Sequence, residues 1–127
     1  MIGYVTLGTR DLPRAIAFYE ELLALLGASR FLGKEGQFQA WAVSPDQPAL
    51  SVTLPWDGNA ATAGNGTMVA LAVDSKEKVN AVHAKALELG GQDEGAPGLR
   101  TEGFYAGYFR DLDGNKLNVF CTGPAAG

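Results

Sequence analysis

At 127 residues the chain holds one domain's worth of material, enough to hide roughly two-thirds of the surface that its unfolded form exposes. Its residues are 46% hydrophobic and 19% charged, which excludes a disordered protein, and no apolar run approaches the roughly 20 residues that a bilayer crossing needs. A net charge of -4 with scattered Lys and Arg gives no electrostatic footprint for nucleic acid, so neither a membrane nor a nucleic acid is an expected partner.

Residues 2–9 are short and β-prone and lack the basic and apolar regions of a signal peptide, which favours a cytoplasmic address. Asp11 followed by Pro13 predicts a helix start, an N-cap oxygen ahead of a fixed φ angle. Ile16, Phe18, Tyr19, Leu22, Leu23 and Leu26 then recur at three- and four-residue intervals, and Gly27 is placed to end the helix. Strands are expected at 30–32, 37–43 and 50–54, parted by turn-forming stretches at 33–36 and 45–48. Residues 56–66, rich in Gly and without periodicity, read as a connection.

The order then restarts. Adding 64 carries Val5, Leu7, Phe18 and Gly27 onto Val69, Leu71, Val82 and Gly91, an internal repeat. A strand is expected at 67–73, followed by a helix opened by Ser75, Lys76 and Glu77. This helix runs through Leu89 with Val79, Val82, Ala86 and Leu89 as its buried stripe. Residues 95–98 read as a Gly- and Pro-rich loop, and Arg100, Glu102 and Tyr105 either as solvated loop residues, the commoner outcome, or as part of a loop that folds over the cleft. Strands at 104–110 and 116–121 flank the turn 111–115, whose Asp-Gly favours a tight hairpin. The boundaries are thus module one about 1–55, connection 56–66, module two about 67–122 and a mobile tail 123–127, all within a single domain. Two similar halves suggest one site built at their seam.

Val5-Thr-Leu-Gly8 with Asp11 and Phe18-Tyr19, and Tyr108-Phe-Arg-Asp-Leu-Asp-Gly-Asn-Lys-Leu-Asn118, resemble the vicinal oxygen chelate superfamily, the glyoxalase, bleomycin-resistance and dioxygenase proteins. The resemblance implies an α+β fold of two tandem βαβββ modules, a curved mixed sheet around a cleft with the helices on its outer face. In the enzymes of the family that cleft holds a divalent metal. A calcium loop is discounted because position twelve of the Asp-x-Asp-Gly-Asn run is Thr122 rather than Glu.

The family's metal ligands are a His in the first strand and a Glu near the end of the last strand of each module. Carried over one by one, they fall on Tyr4, Met68 and Asn118, with Ser51 and Thr53 as the polar members of the remaining segment. A phenol, a thioether and an amide bring no formal charge against a divalent ion, so no metal or other cofactor is expected. Strand alternation supports the grouping: Tyr4, Thr6 and Gly8 share one face, as do Met68, Ala70 and Ala72, and Lys116, Asn118 and Phe120. If the last hairpin pairs residues summing to 226, Tyr108 lies opposite Asn118.

The expected ligand-binding set is therefore Tyr4, Ser51, Thr53, Trp56, Met68, Tyr108 and Asn118, with no metal ligands and no catalytic residue assigned. Trp56 either caps the cleft or tucks under the connection. His83 is expected to be structural, Cys121 to be inert on the helix side, and no nucleophile, base and acid stand together. The expected function is metal-free binding of a small organic molecule by a homodimer, as in the family members that sequester antibiotics. The alternative is a metal-dependent lyase, isomerase or dioxygenase.

Overall fold

The computed structural model describes all 127 residues. Two compact units, Met1–Ala63 and Gly64–Gly127, divide inside the expected connection. The first contains β1 (Tyr4–Gly8), α1 (Leu12–Ala24), β2 (Ser29–Lys34), β3 (Phe38–Ala42) and β4 (Ala49–Thr53). The second contains β5 (Met68–Ala72), α2 (Lys76–Glu88), β6 (Gln92–Thr101), β7 (Phe104–Arg110), β8 (Lys116–Thr122) and a closing 3-10 turn, Gly123–Ala126. Each is a βαβββ module whose four-stranded mixed sheet has the same order, β1-β4-β3-β2 and β5-β8-β7-β6. The architecture is α+β, and the 64-residue offset maps β1 onto β5 and α1 onto α2 residue for residue.

In the first module the Asp11 side chain accepts from the Arg14 N–H, and Pro13 occupies the first turn, where a missing donor costs nothing. Gly27, at φ 80°, turns the chain out of α1 while the Ala28 N–H closes on the Leu23 carbonyl. Phe18, Tyr19, Leu22 and Leu23 are buried, and Tyr19 packs 6.1 Å from Trp41 of β3. Trp41 donates its indole N–H to Glu20 (2.6 Å), whose carboxylate also takes the Arg30 Nε–H at 3.0 and 3.1 Å. One acidic group thereby ties the helix to two strands.

In the second module Val79, Val82 and Ala86 of α2 are fully buried, as are Phe109, Leu117 and Val119 of the sheet. His83 joins this buried stripe, whereas Leu89, expected to extend it, is the C-cap residue and only half-buried. Gly91 is required by close approach, since a Cβ there would stand 2.7 Å from the Ala86 carbonyl oxygen and 2.8 Å from that of Arg110.

One expectation is corrected. Residues 95–98 are not a loop but part of β6, whose pairing with β7 shifts register around Gly95 and Gly98. An edge strand tolerates Gly and Pro because one side of it needs no ladder partner, so turn-type residues there do not signal a turn. The tail at 123–127 carries the 3-10 turn, with Ala126 buried and the Ala125 carbonyl accepting from the Cys121 thiol at 3.6 Å.

The last hairpin keeps the expected register, Tyr108 opposite Asn118. Asp111 organises its turn: Oδ1 accepts from the Asp113 and Asn115 N–H groups (both 2.9 Å), and Oδ2 from the Asn115 amide (2.9 Å). Asp111→Ala should cost about 1–3 kcal/mol, because it strips buried donors of their acceptor, and urea denaturation reads this directly.

Trp41, then Arg30, hold the Glu20 carboxyl below its ordinary value of 4.5. The folded state therefore binds this proton less readily than the unfolded chain. The resulting stability is complete above the ordinary carboxylate pKa and is lost as pH falls toward the lowered one. Glu20→Gln, which cannot ionise, should lower the neutral part of a urea-midpoint profile, flatten its acid limb below pH 4.5 and leave the acid end nearly unchanged.

Candidate functional site

Alternation along the first sheet sorts its side chains. Val5, Leu7, Trp41, Leu50 and Val52 turn toward α1, and the opposite face takes Tyr4 beside Ala49, Thr6 beside Ser51 and Gly8 beside Thr53. That second face lines a cleft of about 330 Å³, walled by Phe31, Leu32 and Phe38 and floored by Ala40 and Ala49. The alanines matter because larger residues at buried Ala40 and Ala49 would fill the space.

Three expected residues, Tyr4, Ser51 and Thr53, line this cleft together. Tyr4 is 70% exposed, and neither its hydroxyl nor that of buried Ser51 makes a hydrogen bond within the protein. Thr53 is already engaged, its single hydroxyl proton within reach of the Leu54 and Gln37 carbonyls at 2.9 and 3.2 Å, so it shapes the wall rather than offering a free hydroxyl. Trp56 departs from expectation. It is 96% exposed and borders a separate hollow with Thr9, Arg10 and Gln37, so it neither lines the Tyr4 cleft nor tucks under the connection.

In the second module Phe109, Leu117, Val119 and Cys121 face α2, and the opposite face carries Met68 beside Lys116 and Ala70 beside Asn118, with Tyr108 across from Asn118. The three expected residues of this module, Met68, Tyr108 and Asn118, thus share one face. Ser51 and Asn118 are structural counterparts: each pairs with the third residue of its module's first strand, Thr6 or Ala70. Asn118 is 2% exposed, and its Oδ1 has no hydrogen-bond partner. A buried acceptor left so costs free energy that a packed apolar residue would not.

His83 supports Tyr108 from behind. Its Nε2 lies 3.1 Å from both the Asp93 Oδ1 and the Tyr108 carbonyl oxygen, and since both accept, Nε2 carries the proton. The ring packs edge-on to Phe109 at 6.3 Å, which fits the expected structural role. The Gly95 N–H, and secondarily His83, hold the Asp93 carboxyl below its ordinary range.

The positions assigned to a divalent ion carry a phenol, hydroxyls, a thioether and a carboxamide, and nowhere in the chain do three His, Cys, Asp or Glu side chains group. These donors do not fit Mg²⁺, Mn²⁺ or Fe²⁺. The residue reading missed the contribution of Phe31 and Phe38 to the cleft, because an apolar residue in a short strand carries no mark of which face it takes. Arg100, weighed between a loop folding over the cleft and a solvated charge, is carried by β6 over the Tyr108 ring.

Comparison with known proteins agrees with the βαβββ fold. A crystal structure of a glyoxalase/bleomycin resistance protein from Albidiferax ferrireducens T118 matches at 34% identity and TM-score 0.85, covering 94% of this chain and 97% of that one. The lactoylglutathione lyase of Agrobacterium tumefaciens matches at 23% identity and TM-score 0.68, covering 94% of this chain and 92% of that one. A family enzyme from Burkholderia phytofirmans PsJN matches at 19% identity and TM-score 0.74, covering 93% and 95%. No curated protein matches. The family model of the glyoxalase/bleomycin resistance protein/dioxygenase superfamily matches residues 1–119, and the chain belongs to that superfamily.

Proposed function

We propose that the protein binds a small organic molecule without a metal and acts by holding it. The observation that carries this reading is the first-module cleft: apolar walls, an alanine floor, and the Tyr4 and Ser51 hydroxyls without protein partners. Few polar groups on apolar walls are what orients a small ligand. The donor chemistry at Tyr4, Ser51, Met68 and Asn118 supports a function that requires no divalent ion. We read the protein as a homodimer, which the exposed Ile2, Phe31, Leu32 and Met68 favour, and as cytoplasmic, in keeping with a buried free thiol at Cys121. No helix is long and apolar enough to cross a membrane.

The second reading is a metal-dependent lyase, isomerase or dioxygenase, favoured by the similarity to a protein named lactoylglutathione lyase. Thermal shift separates the two. Mn²⁺, Ni²⁺, Zn²⁺ and Fe²⁺ should leave the melting temperature unchanged, and protein purified without chelator should carry no stoichiometric metal; saturable stabilisation by one ion would favour the lyase reading. A small-molecule thermal-shift screen should yield hits whose affinity falls about two- to tenfold in Ser51→Val, the loss of one hydrogen bond. Hits indifferent to Ser51→Val and Tyr4→Phe would move the site elsewhere.

Asn118→Leu should stabilise the ligand-free protein by about 1–3 kcal/mol, since it replaces an unpartnered buried acceptor by a residue of similar volume. Destabilisation of that size would mean that the Asn118 carboxamide is hydrogen-bonded in the ligand-free protein.

A further inference from the structure

We propose that the second module's sheet face holds a subsite for a small organic acid that also bears a hydroxyl or N–H donor, recognised by Arg100, Lys116, Tyr108 and Asn118. The proposal rests on the small-molecule reading above and names a ligand class for it. The Arg100 guanidinium carbon lies 5.3 Å, and the Lys116 ammonium 5.6 Å, from the centroid of the Tyr108 ring. Neither cation has a carboxylate partner. Arg100 donates only to the Ala96 and Gly98 carbonyls (2.7 and 3.0 Å), and Lys116 forms no ion pair. Arg110, the other cation on these strands, is by contrast neutralised by Glu94.

Two cations beside a ring are not a site by themselves. The second observation is Asn118, directly across from Tyr108 in the ladder, 2% exposed, with an orphaned carbonyl oxygen. An acceptor in that position is satisfied only by a donor, and the cations only by an anion. A ligand meeting both requirements carries a carboxylate and, within a few bonds of it, a hydroxyl or N–H. The carboxylate takes charge-assisted hydrogen bonds from the guanidinium and the ammonium, and the donor reaches Asn118 Oδ1. An inorganic anion satisfies the cations and leaves Asn118 as it was. Lys116 stands two residues from Asn118 on the same face, and its flexible side chain is the element that shifts to admit the acid.

The test titrates 2-hydroxybutyrate, butyrate, 2-hydroxybutyramide and sulfate into ¹⁵N-labelled protein and follows the Asn118 side-chain amide with the backbone amides of Tyr108 and Lys116. The hydroxy acid should shift all three saturably, with an apparent Kd raised at least about tenfold in Arg100→Gln and in Lys116→Gln but retained within about threefold in Lys116→Arg. Butyrate should bind more weakly without moving the Asn118 amide. Hydroxy-acid binding unchanged in both Gln variants overturns the subsite, as does sulfate binding as tightly as the hydroxy acid, or no shift with any probe. The neutral amide binding as tightly as the acid also overturns it, while leaving the small-molecule reading intact; the first-module cleft is judged separately by its own screen.

Discussion

Parallel pairing of the first and last strand in each module is the constraint from which the candidate site follows. It sets Tyr4 against Ala49 and Thr6 against Ser51 in the first sheet, and Met68 against Lys116 and Ala70 against Asn118 in the second. Because side chains alternate with a strict period of two, a slip of one residue would exchange the helix-facing set for the open set in either sheet. The helix secures the register. Its apolar stripe accepts only Leu7, Trp41, Leu50 and Val52 in one module, and only Phe109, Leu117 and Val119 in the other, so the remaining face is fixed by exclusion.

The two modules share a backbone plan and differ in what they place on the open face. The first offers hydroxyls and small residues between apolar walls. The second offers a phenol flanked by two cations, and a carboxamide whose carbonyl has no partner. After duplication a shared scaffold tolerates such divergence because the open face contributes little to either core. Asn118 is the exception, a buried polar residue whose carbonyl has no partner, held at a cost where an apolar one would pack.

His83 illustrates how a residue with catalytic chemistry is diverted to architecture. Its ring nitrogen meets two acceptors on neighbouring strands, and the ring is sealed against Phe109. The imidazole thereby fixes the strand that carries Tyr108, and its proton is committed to that task.

The repeat, both helices with their caps, the hairpin register and the sorting of Tyr4, Ser51, Met68 and Asn118 onto open faces were all legible in the residues. They depend on periodicity, capping chemistry and turn type, which are local. The sequence alone could not show that residues 95–98 form an edge strand, because Gly and Pro there obey the same local rules as in a loop and only the partner strand distinguishes the two. Nor could it place Trp56 in solvent, draw Arg100 and Lys116 to the Tyr108 ring, or leave Asn118 Oδ1 without a partner. Those outcomes depend on which distant segments meet, and a chain's local preferences do not encode the distance between side chains that the sheet brings together.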